Sequence, residues 1–241
     1  MTALGFASLE LGPPLCRMPE MVNSLSSKFS LSDAHSSANR LLICIPIIHS
    51  DVDMGSLREA VQQHKLQLLG RETIDATAQS VERMWAQIRG LFESAGLDHK
   101  KLRIYQDGLP DCGRETEIIR EFAGAGSLNY QLLAGLIEKG AAVMGTESPD
   151  LLVQEYQLIR QSFPRSRGKA GGSFEREKTV LSRSLLKRRD QYIADRINGT
   201  LLEGEVGVVF IGMLHSFQHY LAPDIRVLYP IRRPGWPSRR N

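Results

Sequence analysis

The fold is decided by the stretch Leu41-Leu-Ile-Cys-Ile-Pro-Ile-Ile-His49, an unbroken apolar run that is rich in isoleucine. The run is too short for a typical helix, and its lack of polar alternation is typical of a strand buried on both faces, as in a parallel sheet. Pro46 argues against a central position, because proline cannot donate a hydrogen bond to a neighbouring strand. A second such run, Val206-Gly-Val-Val-Phe-Ile-Gly-Met-Leu-His215, also ends in a histidine.

Shorter strand candidates and helical patterns alternate around these two runs. The shorter strands are predicted over Lys101–Asp107, Ala141–Gly145 and Arg226–Tyr229. Helices are predicted over Ser56–Leu69, Thr73–Ala95, Glu115–Phe122, Leu128–Glu138, Ser148–Ser162 and Ser184–Leu202. This alternation predicts a single α/β domain with a mainly parallel sheet of four to five strands flanked by helices.

Composition and length predict one folded domain with unstructured ends. Of the 241 residues, 42% are hydrophobic and 24% charged, which is normal for a globular chain. Residues 1–40 are serine-rich and aperiodic and predict a disordered tail, 41–231 form the domain, and 232–241 form a basic tail. Within the domain, glycines and scattered arginines at 164–178 predict a flexible basic connector.

Cysteine usage and apolar run lengths bear on the compartment. The three cysteines are widely spaced, so neither a disulfide framework nor a CxxC metal site is indicated, and a reducing, cytoplasmic location is expected. The longest apolar runs reach about half of the roughly 20 residues that span a bilayer, so no membrane span is expected.

The formal charge of +3 conceals an uneven distribution. Pro164–Arg189 holds nine basic and two acidic residues, and Arg232–Asn241 holds four basic ones, so the rest of the chain is acidic. This asymmetry predicts self-association, as in a homo-oligomer, or a mobile flap over the site. Lys187-Arg188-Arg189 does not indicate nucleic-acid binding, because no aromatic or RNA-binding motif accompanies it.

Chemistry-bearing side chains follow four predicted strands, namely His49, Asp107, Glu147 and His215. The carboxyl ends of parallel strands form the edge where α/β proteins bind ligands, so these side chains are expected to meet there. Imidazole nitrogen and carboxylate oxygen suit zinc, manganese or iron. Asp51 and Asp53 lie on the same side of the chain as His49 if it is extended, although one of them could instead cap a helix. The competing interpretation is that histidine caps a loop and the acids form turns.

Arg189 and Asp190 interrupt the apolar stripe of the last predicted helix, which Leu186, Ile193, Ile197 and Leu201 define. Charges rarely face a core unless they are paired or functional. Arg189 could bind an anionic group, or it could hold a carboxylate at the strand edge. The alternative is that this first part of the helix is exposed.

Three segments together resemble a known superfamily. Arg189-Asp190-Gln-Tyr-Ile-Ala-Asp-Arg-Ile197, followed by Gly207-Val-Val-Phe-Ile-Gly212-Met-Leu-His215, resembles the C-terminal signature of the TraB/PrgY, GumN and Tiki proteins, and Ile47-Ile-His49 is similar to their first strand. The superfamily includes haem-binding ChaN-like and erythromycin-esterase-like proteins. The resemblance implies a hydrolase-type α/β site, and Tiki members are regarded as metal-dependent proteases. Pro46 stands where the family has glycine, and Gln106 or Asp107 where it has glutamate.

Two functions of different class follow from these residues. The first is a metal-assisted hydrolase in which His49 and His215 are ligands, Asp107 or Glu147 is a ligand or general base, and Arg189 binds an anion or oxyanion. The second is a non-catalytic module that senses a small anion or nucleotide through Arg189. A third, structural role would use the basic connector to dock a partner.

Overall fold

A computed structural model describes residues 40–47, 71–162 and 172–231, together with the helical positions 59, 63 and 66. These residues contain five strands: β1 (Arg40–Ile47), β2 (Leu102–Gln106), β3 (Ala142–Met144), β4 (Val206–Gly212) and β5 (Ile225–Leu228). They form one sheet in the order β3-β2-β4-β1-β5, and every pair is parallel. The predicted α/β fold with a parallel sheet is therefore confirmed.

Besides the helical positions 59, 63 and 66, five α-helices flank this sheet within the described residues. They are α1 (Arg71–Ser94), α2 (Glu115–Gly124), α3 (Leu128–Glu138), α4 (Pro149–Ser162) and α5 (Gly172–Thr200). Short 3-10 turns occur at His99–Lys101 and Phe217–Tyr220. No helix in the described part of the chain is both long and apolar enough to cross a membrane. The predicted tails lie outside the described residues, except that Arg40 already belongs to β1.

Alternate residues of β1 enter two separate cores, which explains why the whole run is apolar. Ile43, Ile45 and Ile47 pack on one face of the sheet, in the core that also contains the buried stripe of α1 and residues of α2 and α3. Leu42 and Cys44 pack on the other face, against Ile193, Ala194, Ile197 and Leu201 of α5. The sheet is thus covered on both sides, as predicted.

Strand β1, which contains Pro46, has β4 on one side and β5 on the other, but β5 is too short to reach the proline. Pro46 is in register with Ile211 of β4, whereas β5 pairs only with Arg40–Ile43. Among the described residues, the proline therefore has one neighbouring strand, and the cost of its missing N–H is reduced accordingly.

Helix α5 begins earlier than the sequence pattern predicts. The expected flexible connector at 164–178 is wrong for Gly172–Lys178, which is helical, while 163–171 lie outside the described residues. Among the early α5 positions whose side chains are described, Lys178–Ser184, none is buried. Val180 is 65% and Leu181 52% exposed, and burial begins at Leu185. An exposed helix lacks the apolar periodicity on which the prediction depended.

Candidate functional site

The loops after β2 and β3 are held together by backbone hydrogen bonds at the carboxyl edge of the sheet. The N–H groups of Thr146 and Glu147 both donate to the Leu109 carbonyl at 3.0 Å, and Asp111 N–H donates to the Glu147 carbonyl at 2.8 Å. Gly145 permits this approach, because a Cβ there would lie 2.3 Å from Asp111 Cα. Glu147 is thereby placed beside the end of β2.

Asp107 is fixed to both β2 and β4. Its backbone N–H donates to the Phe210 carbonyl at 2.9 Å, and its Oδ2 accepts the Gly212 N–H at 2.8 Å. A Cβ on Gly212 would lie 2.7 Å from that same Oδ2. The carboxylate therefore occupies space that only a glycine at position 212 leaves open.

The guanidinium of Arg189, which is fully buried, binds three carboxylates. Its Nη2 lies 2.6 Å from Glu147 Oε1 and 2.9 Å from Asp107 Oδ1, and its Nε lies 3.1 Å from Glu147 Oε2. Its Nη1 donates to Glu155 Oε1 at 2.6 Å. Of the two roles open to Arg189 from sequence, the structure shows the one in which it holds carboxylates at the strand edge.

His215, also fully buried, lies in the turn after β4 and faces Asp190 and Asp107. Its Nδ1 is 2.7 Å from Asp190 Oδ1, and Asp190 Oδ2 accepts the Ser216 N–H at 3.0 Å. The other ring nitrogen, Nε2, hydrogen-bonds to none of the described residues, although Asp107 Oδ2 lies 3.5 Å away. A buried polar atom without such a bond is uncommon in folded proteins and needs an explanation.

Burial and charge act against each other on the titratable groups of this cluster. Burial alone would lower the pKa of His215, but the charge of Asp107 and the contact with Asp190 outweigh it and raise the pKa to about 10. Burial raises the pKa of Glu147, and the charge of Arg189 offsets only part of that rise. Burial opposes the charge of Arg189, yet the surrounding carboxylates keep its pKa well above the usual value.

Asp107, Glu147 and His215 can each direct one ligand atom towards a common point. The three atoms all lie within 4.8 Å of one another, and the three residues are buried. One imidazole nitrogen and two carboxylate oxygens form a donor set that suits zinc, manganese or iron. The buried Nε2 fits this interpretation, because a metal ion would supply the partner that it lacks among the described residues.

No family model, curated protein or solved structure matches this chain. The site must therefore be interpreted from its own geometry. That geometry brings together four of the predicted residues, Asp107, Glu147, Arg189 and His215. The fifth, His49, lies outside the described residues, as do Asp51 and Asp53.

Two members of the cluster were not predicted in their observed roles. Glu155 was not singled out from the sequence, although it stands four residues after Leu151 and four before Ile159, both of which are buried. A carboxylate at that position of an apolar stripe is the signal that could have identified it. Asp190 interrupts the apolar stripe of α5 in the sequence, but no sequence pattern pairs it with His215.

Proposed function

We propose that this chain is a metal-assisted hydrolase whose site lies at the carboxyl edge of the sheet. The single observation that supports it best is the buried His215 Nε2, which has two carboxylates near enough to share an ion with it. We further propose a cytoplasmic location, on the wide spacing of the three cysteines. We also propose a distant relationship to the TraB/PrgY, GumN and Tiki proteins, on the residues that carry the resemblance.

In this proposal His215 and Asp107 hold the ion, and Glu147 either completes the ligand set or accepts a proton from water. A divalent metal ion lowers the pKa of a bound water and polarises a carbonyl or phosphoryl oxygen. Burial raises the pKa of Glu147, which makes its carboxylate a stronger proton acceptor than an exposed glutamate. Arg189 fixes Glu147 and Asp107 in orientation.

His49 is proposed as a further ligand on the basis of strand order. Strand β1 runs parallel and next to β4, in a register that pairs Ile47 with Gly212. The carboxyl ends of the two strands therefore lie at the same edge of the sheet. In the sequence, His49 stands two residues after the end of β1. A second imidazole would give the ligand set a composition that catalytic zinc sites use.

The alternative of a small-anion module gains little support from this geometry. It requires a guanidinium that can bind a ligand, whereas Arg189 already binds Glu147, Asp107 and Glu155 and is fully buried. An incoming anion would have to displace Glu147 from its bidentate contact with Arg189. It would also have to enter a cluster in which, among the described residues, carboxylates outnumber positively charged groups.

Metal binding tests the proposal directly. The full chain is stripped with a chelator and titrated with Zn²⁺, Mn²⁺ or Fe²⁺, with calorimetry and thermal unfolding as the two measurements. We expect binding in the parent, and about 2.7 kcal/mol of added stability when free metal is 100 times its Kd. His215→Ala and His49→Ala should lose most of both effects. His219→Ala is the matched control, because His219 is an exposed histidine four residues after His215.

Two results would contradict the proposal at different points. If the parent binds no ion, or if the His215 and His49 variants bind metal as the parent does, the proposed metal centre is refuted. If the protein binds metal but shows no metal-dependent cleavage of a panel of esters, amides and peptides, the proposed hydrolase activity is refuted. Stabilisation of the chelated protein by phosphorylated metabolites, abolished in Arg189→Ala, would favour the anion module instead.

A further inference from the structure

Asp190 is a buried carboxylate that the proposed metal centre does not use as a ligand. It follows Arg189 directly on α5, so the two side chains leave neighbouring positions of the same helix. Arg189 reaches Glu147 and Asp107, whereas Asp190 reaches the turn after β4. One turn of α5 therefore contacts the segments after β2, β3 and β4, which carry Asp107, Glu147 and His215.

Both oxygens of Asp190 are occupied by the segment that carries His215. Oδ1 lies 2.7 Å from His215 Nδ1, and Oδ2 accepts the Ser216 N–H at 3.0 Å. A carboxylate oxygen accepts hydrogen bonds, so the short contact with Oδ1 requires that Nδ1 carry a hydrogen. The second contact fixes the backbone next to the ring. Asp190 thus holds both the ring and the backbone that follows it, and Nε2 is the nitrogen that faces Asp107.

We propose that Asp190 is a positioning residue that sets the tautomer and orientation of His215, so that Nε2 is the nitrogen presented to the metal ion. The inference rests on the proposed metal centre. A carboxylate on the second ring nitrogen is the arrangement that makes an imidazole a better oriented and more basic ligand. The competing role for Asp190 is purely structural, as an anchor for the turn through the Ser216 N–H.

The two roles differ in what happens at the imidazole, which nitrogen NMR can observe. Histidine-labelled full-length protein is loaded with Zn²⁺, and the ring nitrogens of His215 are assigned through long-range proton–nitrogen correlations. We expect a protonated Nδ1 and a zinc-bound Nε2 in the parent. Asp190→Ala and Asp190→Asn should lower zinc affinity by about 10- to 100-fold, as for other residues that orient metal ligands.

The asparagine variant is the sharper of the two. Its amide has one acceptor oxygen and one donor nitrogen, so it cannot reproduce the two contacts that Asp190 makes through separate oxygens. If its nitrogen turns towards the ring, the hydrogen should move from Nδ1 to Nε2, and the correlation pattern should reverse. Asp195→Asn is the control: Asp195 is exposed on the same helix and accepts a hydrogen bond from Gln191. It should leave both zinc affinity and the His215 spectrum unchanged.

The outcomes separate this inference from the proposed function. Zinc bound through Nδ1 in the parent, or Asp190→Ala with parental zinc affinity, would overturn the role of Asp190 and leave the metal centre standing. A parent that binds no zinc would overturn the metal centre. In that case the metal-free spectrum decides about Asp190: a downfield, slowly exchanging Nδ1–H signal that disappears in Asp190→Ala supports the positioning of the ring, and its absence from the parent contradicts it.

Discussion

At the residue scale, Gly212 decides whether Asp107 can occupy the site. A Cβ at position 212 would lie 2.7 Å from Asp107 Oδ2, and this carboxylate cannot retreat easily because Arg189 holds its other oxygen. We predict that Gly212→Ala costs about 1–3 kcal/mol of unfolding free energy, as overpacking of a core does. Its zinc affinity should also fall, since the ligand oxygen moves.

Gly135→Ala is the matched control for this change. Gly135 lies inside α3, and a Cβ there would meet no atom within 4 Å. Replacing a helical glycine with alanine should stabilise the protein by about 0.5–1 kcal/mol and leave zinc binding as it was. Denaturant unfolding and zinc titration of both variants check the pair. Equal stability of Gly212→Ala and the parent would show that the site tolerates a displaced Asp107.

The candidate ligands were predictable at this scale because each follows a strand that the sequence identifies. Asp107, Glu147 and His215 needed only a parallel sheet to bring them to the same edge. The pairing of Asp190 with His215, and of Glu155 with Arg189, was not predictable in the same way. It depends on how α4 and α5 are rotated about their axes, and tertiary packing sets that rotation.

At the element scale, α5 consists of an exposed first part and a buried second part. Ile193 is fully buried against the sheet, whereas Leu181 is 52% exposed. We predict that Ile193→Ala costs about 2–5 kcal/mol, because it removes buried methyl groups and leaves a cavity. Leu181→Ala should change stability by less than about 0.5 kcal/mol. Chemical denaturation measures both, and a comparable loss in Leu181→Ala would indicate a surface that is covered in solution.

The strands themselves were predictable, but their order was not. Two strongly apolar runs and three weaker ones appear in the sequence, and all five are strands in the structure. Their bounds agree within one or two residues, except that β4 ends at Gly212, three residues before His215. The insertion of β4 between β2 and β1 depends on long-range contacts, which local periodicity does not encode. This order nevertheless matters most for the site, because it places His215 between the ends of β2 and β1.

At the scale of the whole molecule, the fold buries a cluster of charged side chains. Asp107, Glu147, Glu155 and Asp190 are buried near Arg189 and His215. Carboxylates therefore outnumber cations among the described members of this cluster. A protonated His215 reduces the imbalance in the metal-free protein, and a divalent cation would do the same in the metal-bound one. The stability of the metal-free protein should consequently depend on pH.

The direction of that dependence follows from the two shifted groups. The folded pKa of His215 is about 10, above the ordinary 6.5, so its stabilising contribution is complete below about pH 6.5 and disappears as pH rises through about 10. The raised pKa of Glu147 acts in the same direction, beginning near its ordinary value of 4.5. In a chelator, the unfolding free energy should therefore fall steadily from pH 6.5 to 10.

Thermal or urea unfolding across that range, in the presence of the chelator, measures the slope. His215→Gln should be less stable than the parent at pH 6.5, because Asp107 and Asp190 lose a buried cation, but its slope between pH 6.5 and 10 should be much smaller. His219→Gln, at an exposed position, should keep the parental slope. A parent whose stability rises over this range would contradict a protonated His215 and would mean that the imidazole is neutral before any metal arrives.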